Sequence, residues 1–118
     1  LNSQGIIINL REFKMISNVD KFKTLVPEVY ETDFSIVGKS NDTNFYLFNY
    51  DKVDKDICIH IIQILKQYDN EGKLHIHTNW STKTYKTEKP ALKALSNTLK
   101  TLKEFYNLCK VKQINDDF

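Results

Sequence analysis

The hydrophobic positions of this chain change period several times, and each change marks an expected element. Residues 5–10 (G-I-I-I-N-L) are β-branched and read as a buried strand. Ser17 and Asn18 suit a helix N-cap and Asp20 its first turn. Val19, Phe22, Leu25 and Val26 then recur at helical spacing until Pro27 disrupts the run. Residues 33–39 (D-F-S-I-V-G-K) alternate as a short strand, and residues 40–43 (S-N-D-T) form a loop. Residues 44–50 (N-F-Y-L-F-N-Y) carry the aromatic density of a pleated, buried strand.

In residues 51–72, Val53, Ile57, Ile61, Leu65 and Tyr68 keep a period near that of a helix, with Gly72 at its end. Residues 57–62 alone also suit a strand, and the length of the periodic run favours the helix. Residues 73–80 (K-L-H-I-H-T-N-W) alternate cleanly as a strand, and residues 81–89 are a polar connector. From Pro90, which fits a first helical turn, a long helix is expected to about residue 112. The expected fold is α+β, a ferredoxin-like βαββαβ antiparallel sheet with an additional C-terminal helix. The 118 residues are read as one domain, with a core over 1–82 and a basic connector, helix and tail over 83–118.

Strand alternation assigns side chains to two faces. Ile6, Ile8, Leu10, Phe34, Ile36, Tyr46, Phe48, Tyr50, Leu74 and Ile76 fall on the face that two helices would cover. Ile7, Asn9, Phe45, Leu47, Asn49, His75 and His77 fall on the other. That second face is too apolar for bare solvent and too polar for a core, which points to a partner.

The stretch Phe45-Tyr46-Leu47-Phe48-Asn49-Tyr50 resembles the third-strand signature of the RNA-recognition motif family. Ile6-Ile7-Ile8-Asn9-Leu10 is similar to its first-strand signature, and the resemblance spans residues 5–80. It implies a module that stacks bases on its sheet, with Phe45, Leu47, His75 and His77 at the stacking surface. Ile7 and Leu47 stand where the family places aromatic rings, so Phe45 would carry most of that contact.

Charge sharpens this picture. Residues 1–82 hold 9 basic and 11 acidic side chains, a net −2, whereas residues 83–112 hold 8 Lys against Glu88 and Glu104, a net +6. A basic segment of this kind is the electrostatic footprint of a polyanion partner or a solvated helix face. Lys93, Lys100, Lys103 and Lys110 are the expected phosphate contacts. Leu92, Leu95, Leu99, Leu102, Tyr106 and Cys109 form a narrow apolar stripe on the same helix. The stripe reads either as a cap over the sheet's second face or as a partner seam built on Leu92, Leu95, Leu99 and Leu102.

His75-Ile76-His77 resembles the His-hydrophobe-His element of rolling-circle (HUH-type) single-strand DNA endonucleases. That resemblance implies a divalent metal on His75 and His77 and a nucleophilic Tyr106 with Lys110 one turn on, or Tyr85 with Lys89. No third acidic ligand stands near the pair in sequence, and Tyr106 falls on the apolar stripe. Cys58 and Cys109 lack zinc or redox spacing and read as small hydrophobes of a reduced intracellular protein, cytoplasmic or nuclear. No apolar run approaches the roughly 18 residues of a membrane span, and residues 4–8 lack the marks of a leader.

The expected function is therefore a non-catalytic binding module without a cofactor, contacting RNA or single-stranded nucleic acid, a protein, or both. The alternative is a small protein-interaction or inhibitor domain with no nucleic-acid role, and the endonuclease is the third reading.

Overall fold

A computed structural model describes residues 16, 18–41 and 45–116. The strand expected over residues 5–10 lies outside the described residues, as do Ser17 and the centre of the 40–43 loop. Among the described residues two helices and five strands follow in the order α1 (Asp20–Lys23), β1 (Glu28–Glu31), β2 (Ser35–Lys39), β3 (Tyr46–Asp51), β4 (Asp56–Tyr68), β5 (Leu74–Tyr85) and α2 (Glu88–Asp116). The strands form one antiparallel sheet in the order β1-β2-β3-β4-β5. The class is α+β. The described part is a β-meander closed by a C-terminal helix, and it does not show the expected βαββαβ order.

The difference lies in residues 51–72, which are strand β4 and a hairpin turn rather than a helix. Isoleucine occupies positions 57, 59, 61, 62 and 64, and β-branched side chains sit more comfortably on a pleated sheet than in a helix. Asp51 turns the chain at the start: its carboxylate accepts the N–H groups of Val53 and Asp54. Lys55, at φ 55°, completes that turn in the left-handed region. At the other end the Gly72 N–H donates to the Asp69 carbonyl at 3.0 Å, and Gly72 has φ 79°. Gly72 thus serves a β-hairpin, where its lack of a Cβ permits the left-handed turn residue, and not a helix C-cap. The residues read as a polar connector continue β5 as far as Tyr85.

The register gathers the core. Phe48 lies opposite Ile59, and Tyr50 lies opposite both Ile57 and Ile36. Phe22 of α1 packs on Phe48 with ring centroids 6.0 Å apart. The buried Tyr50 hydroxyl donates to the Ile16 carbonyl at 2.9 Å. Between β2 and β3 the register slips: Gly38 faces Phe48 while Lys39 faces Tyr46. This bulge leaves Leu47 as an extra residue, and Leu47 and Phe48 are both fully buried. Two face assignments are corrected as a result. Leu47 belongs to the core, whereas Tyr46 is 49% exposed. Phe34, expected under the helices, sits before β2 and is exposed.

Ala91, Leu95, Thr98 and Leu102 of α2 are buried, at spacings of 4, 3 and 4 residues that put them on one helix face. They join the same hydrophobic cluster as Leu47, Phe48, Ile57 and Ile59. The terminal helix therefore caps its own sheet, on the core side shared with Phe22. Leu95 and Leu102 are consumed by that core, which removes them from the expected partner seam, while Leu92 and Leu99 flank it half-buried. No described helix is long and apolar enough to cross a membrane.

Candidate functional site

The bulge and the long β4 together decide what the uncovered face of the sheet presents. With Phe48, Tyr50, Ile57 and Ile59 turned into the core, Tyr46 and His60 are turned away from it. Tyr30 of β1, Lys39 of β2, Tyr46 of β3 and His60 of β4 then form a row across four strands. The Lys39 ammonium lies 5.2 Å from the Tyr30 ring centroid and 4.7 Å from that of Tyr46. The two phenol rings are therefore within about 10 Å of each other with one cation between them, inside cation–π range of both. Tyr30 is 53% exposed. The Tyr46 and His60 rings are 6.4 Å apart and tilted by 34°. Partial burial pushes the His60 pKa below its ordinary value, so its ring is neutral at pH 7.

At its β1 end the row meets a carboxylate. The Tyr30 hydroxyl donates to a Glu28 carboxylate oxygen at 3.2 Å. On the other face of β1, opposite Ile36, Glu31 bonds Lys52 at 2.9 Å and Lys23 at 3.4 Å, and these two ammonium groups hold its carboxyl below the usual range. Further along the sheet, Asp51, Asp54 and Asp56 line a shallow depression with Phe34, Asn49 and Cys58. The aromatic row and Lys39, with Glu28 beside them, thus lie at one end of the uncovered face and three aspartates at the other.

A second surface belongs to α2. Lys89, Lys93 and Lys100 are exposed on the side away from Ala91, Leu95, Thr98 and Leu102, whereas Lys103 and Lys110 are exposed on the flank of the helix. From Lys89 to Lys100 the stripe runs for about 16 Å at the rise of an α-helix. Glu88 at its start is engaged by Lys21 at 2.8 Å.

Phe45 stacks on Trp80 with centroids 4.9 Å apart and meets Phe105 and Tyr106 edge-on. It is half-buried beneath α2, so it is corrected from a base-stacking position to a packing one, and Leu47 is fully enclosed. His75 and His77 sit on one side of β5, opposite Gln67 and Leu65, near the end of the β4–β5 hairpin. His75 Nε2 lies 2.8 Å from Asp69 Oδ2, an oxygen of the turn residue itself. Tyr106 is packed against Phe45 and Phe105, and Tyr85 lies under the Lys83 ammonium at 5.4 Å. Among the described residues no three His, Cys, Asp or Glu side chains are gathered in a metal-binding group. Cys58 and Cys109 are free thiols, each half-buried.

Tyr30, Lys39, Tyr46 and His60 escape a reading by simple alternation. A bulge reverses the face of Tyr46, and His60 is masked by the apparent helix around it. The alternation of Glu28-Val29-Tyr30-Glu31 after Pro27 was the one available signal for β1. In comparisons with known proteins, no protein-family model, curated protein or solved structure matches this chain, and its function is read from these side chains.

Proposed function

We propose that this domain is a non-catalytic binding module for single-stranded nucleic acid that uses the uncovered face of its sheet. The observation that carries the reading is the Lys39 ammonium held between the exposed rings of Tyr30 and Tyr46. Aromatic faces stack any base, at about 1–3 kcal/mol per base, and an ammonium between two such rings meets the phosphate that links the stacked nucleotides. His60 extends the row as a neutral ring. The role matches that implied by the resemblance to the RNA-recognition motif, with Tyr30 and Tyr46 in place of Phe45 and Leu47.

The lysine stripe of α2 supports a second, weaker contact with the same class of ligand. It supplies charge without the bidentate fork that reads a base edge, so it adds affinity but no sequence preference. Fluorescence anisotropy with labelled U12 and dT12 tests the proposal. Tyr46→Ala and Tyr30→Ala are each expected to weaken binding by about 5- to 150-fold, the equivalent of one lost stack. Unchanged affinity in both variants, with the fold intact by circular dichroism, overturns it.

A further inference from the structure

On the core side of the sheet, a groove of about 640 Å³ runs between the C-terminal half of α2 and the β2–β3 region. Leu99, Tyr106 and Cys109 give its open apolar surface above the buried Leu47 and Leu102, and Lys103 and Lys110 stand on its α2 rim. Neither lysine forms an ion pair among the described residues, and no described acidic side chain lines the groove. We infer that this groove is a docking site for an acidic amphipathic helix of a partner protein. It lies on the other side of the sheet from the Tyr30–Tyr46 row and is independent of the nucleic-acid reading.

Charge complementarity and spacing define the occupant. Lys103 and Lys110 are seven residues apart on one helix, which is about 10 Å along its axis. A second helix lying alongside repeats that distance between its own positions i and i+7. Carboxylates so spaced meet both ammonium groups while the apolar stripe between them enters the groove. Polyanionic nucleic acid matches the lysines but leaves the leucine and tyrosine floor unfilled. A helical peptide satisfies both.

The experiment is a selection from a displayed random library of 20-residue peptides against the intact domain. Enriched sequences are expected to carry Leu, Ile or Phe at i, i+3 or i+4, and i+7, flanked by Asp or Glu seven residues apart. Synthetic copies should bind about tenfold or more weakly to Lys103→Glu/Lys110→Glu, and equally well to Tyr46→Ala. The double substitution is confined to exposed positions, so the fold is retained, and Leu99→Ala supplies a second, apolar probe. No enrichment, enriched peptides without acidic residues, or binding indifferent to both α2 variants each overturns the inference. Displacement of the peptide by U12 or dT12 overturns it in favour of nucleic acid in the groove. Concentration-dependent dimerisation abolished by Leu99→Ala overturns it in favour of a second copy.

Discussion

The Thr98 hydroxyl donates a 2.8 Å hydrogen bond to the main-chain carbonyl oxygen of His60. His60 is the first residue of β4 beyond the last β3–β4 pair, Phe48 with Ile59. The bond therefore fastens α2 to β4 just where β3 ceases to cover it. Thr98 is 2% exposed, so water is a poor substitute for its hydroxyl. Thr98→Val nearly preserves volume and leaves the carbonyl unpartnered, at an expected cost of about 1–3 kcal/mol. The cost is read as a lower urea midpoint at unchanged slope. Thr98→Ser should recover most of the loss, and a valine variant as stable as the parent would show that the bond contributes nothing.

Gly38 supplies the space for the ring opposite it. A Cβ at this position would overlap the Phe48 side chain, which is itself fully enclosed and has nowhere to withdraw. Gly38→Ala is expected to destabilise the domain by about 1–3 kcal/mol through overpacking. Phe48→Leu removes the colliding ring, so the double variant should lose less than the two single losses added. Additive losses in thermal or urea melts would place the cause elsewhere.

Three groups make stability fall with acid: Glu31, held low by Lys52 and Lys23, together with His60 and Asp69. Burial depresses the His60 pKa, so the unfolded chain takes up a proton near pH 6.5 before the folded chain does. The neutral ring's contribution is complete above that pH and is lost as pH falls through 6.5 towards the folded value. Asp69 is depressed chiefly by its bond to His75, and then by the Lys73 N–H. Its contribution is complete above the ordinary carboxyl value of 3.8 and is lost below it. Urea midpoints should decline from pH 7 to pH 5 in the parent and stay flatter in His60→Gln. Asp69→Asn should flatten part of the limb below pH 4, Glu31 keeping the remainder. A midpoint rising with acid in either window contradicts the assignment.

The two proposed nucleic-acid surfaces differ in their dependence on salt. Lys93→Glu/Lys100→Glu removes phosphate contacts of the helix stripe and should flatten the plot of log affinity against log salt for dT12 by about one unit or more. Tyr46→Ala should lower the whole line and leave its slope nearly unchanged. Identical slopes for the parent and the lysine variant would remove α2 from the interface.

Legibility in the sequence followed how local each cause is. The strands at Ser35–Lys39 and Tyr46–Asp51, the start of β5 and the long terminal helix are written in short-range periodicity and in Pro90. Strand β4 is ambiguous because Ile57, Ile61, Leu65 and Tyr68 satisfy a helical period while five isoleucines satisfy a strand. Hydrogen bonds to two neighbouring strands decided between them, and no window of sequence contains those partners. The turn Asp69-Asn70-Glu71-Gly72 was the local hint of a hairpin. The site was less legible than the fold. One bulge beside Gly38 exchanged the roles of Tyr46 and Leu47, so a correct strand carried its aromatic residues to the wrong faces. On α2 the exposed lysines were placed by spacing alone, whereas the buried set is Ala91, Leu95, Thr98 and Leu102 rather than a run of leucines.

Among the described residues, residues 60–68 of β4 have β5 as their only strand neighbour. α2 and the core hold this stretch at His60 and Ile62. The exposed end from Leu65 onward is held by contacts near in sequence, closed by the Asp69–Gly72 turn, while the inner sheet depends on contacts from distant parts of the chain. Two energetic scales coexist in one small domain. The hairpin tip can open and re-zip from its turn while Phe22, Phe48 and Ile59 stay packed, and its amides will exchange with solvent by local fraying rather than by global unfolding. The hairpin's length is thereby largely uncoupled from the core, a part of the protein that evolution or design can extend, trim or re-side without renegotiating the rest.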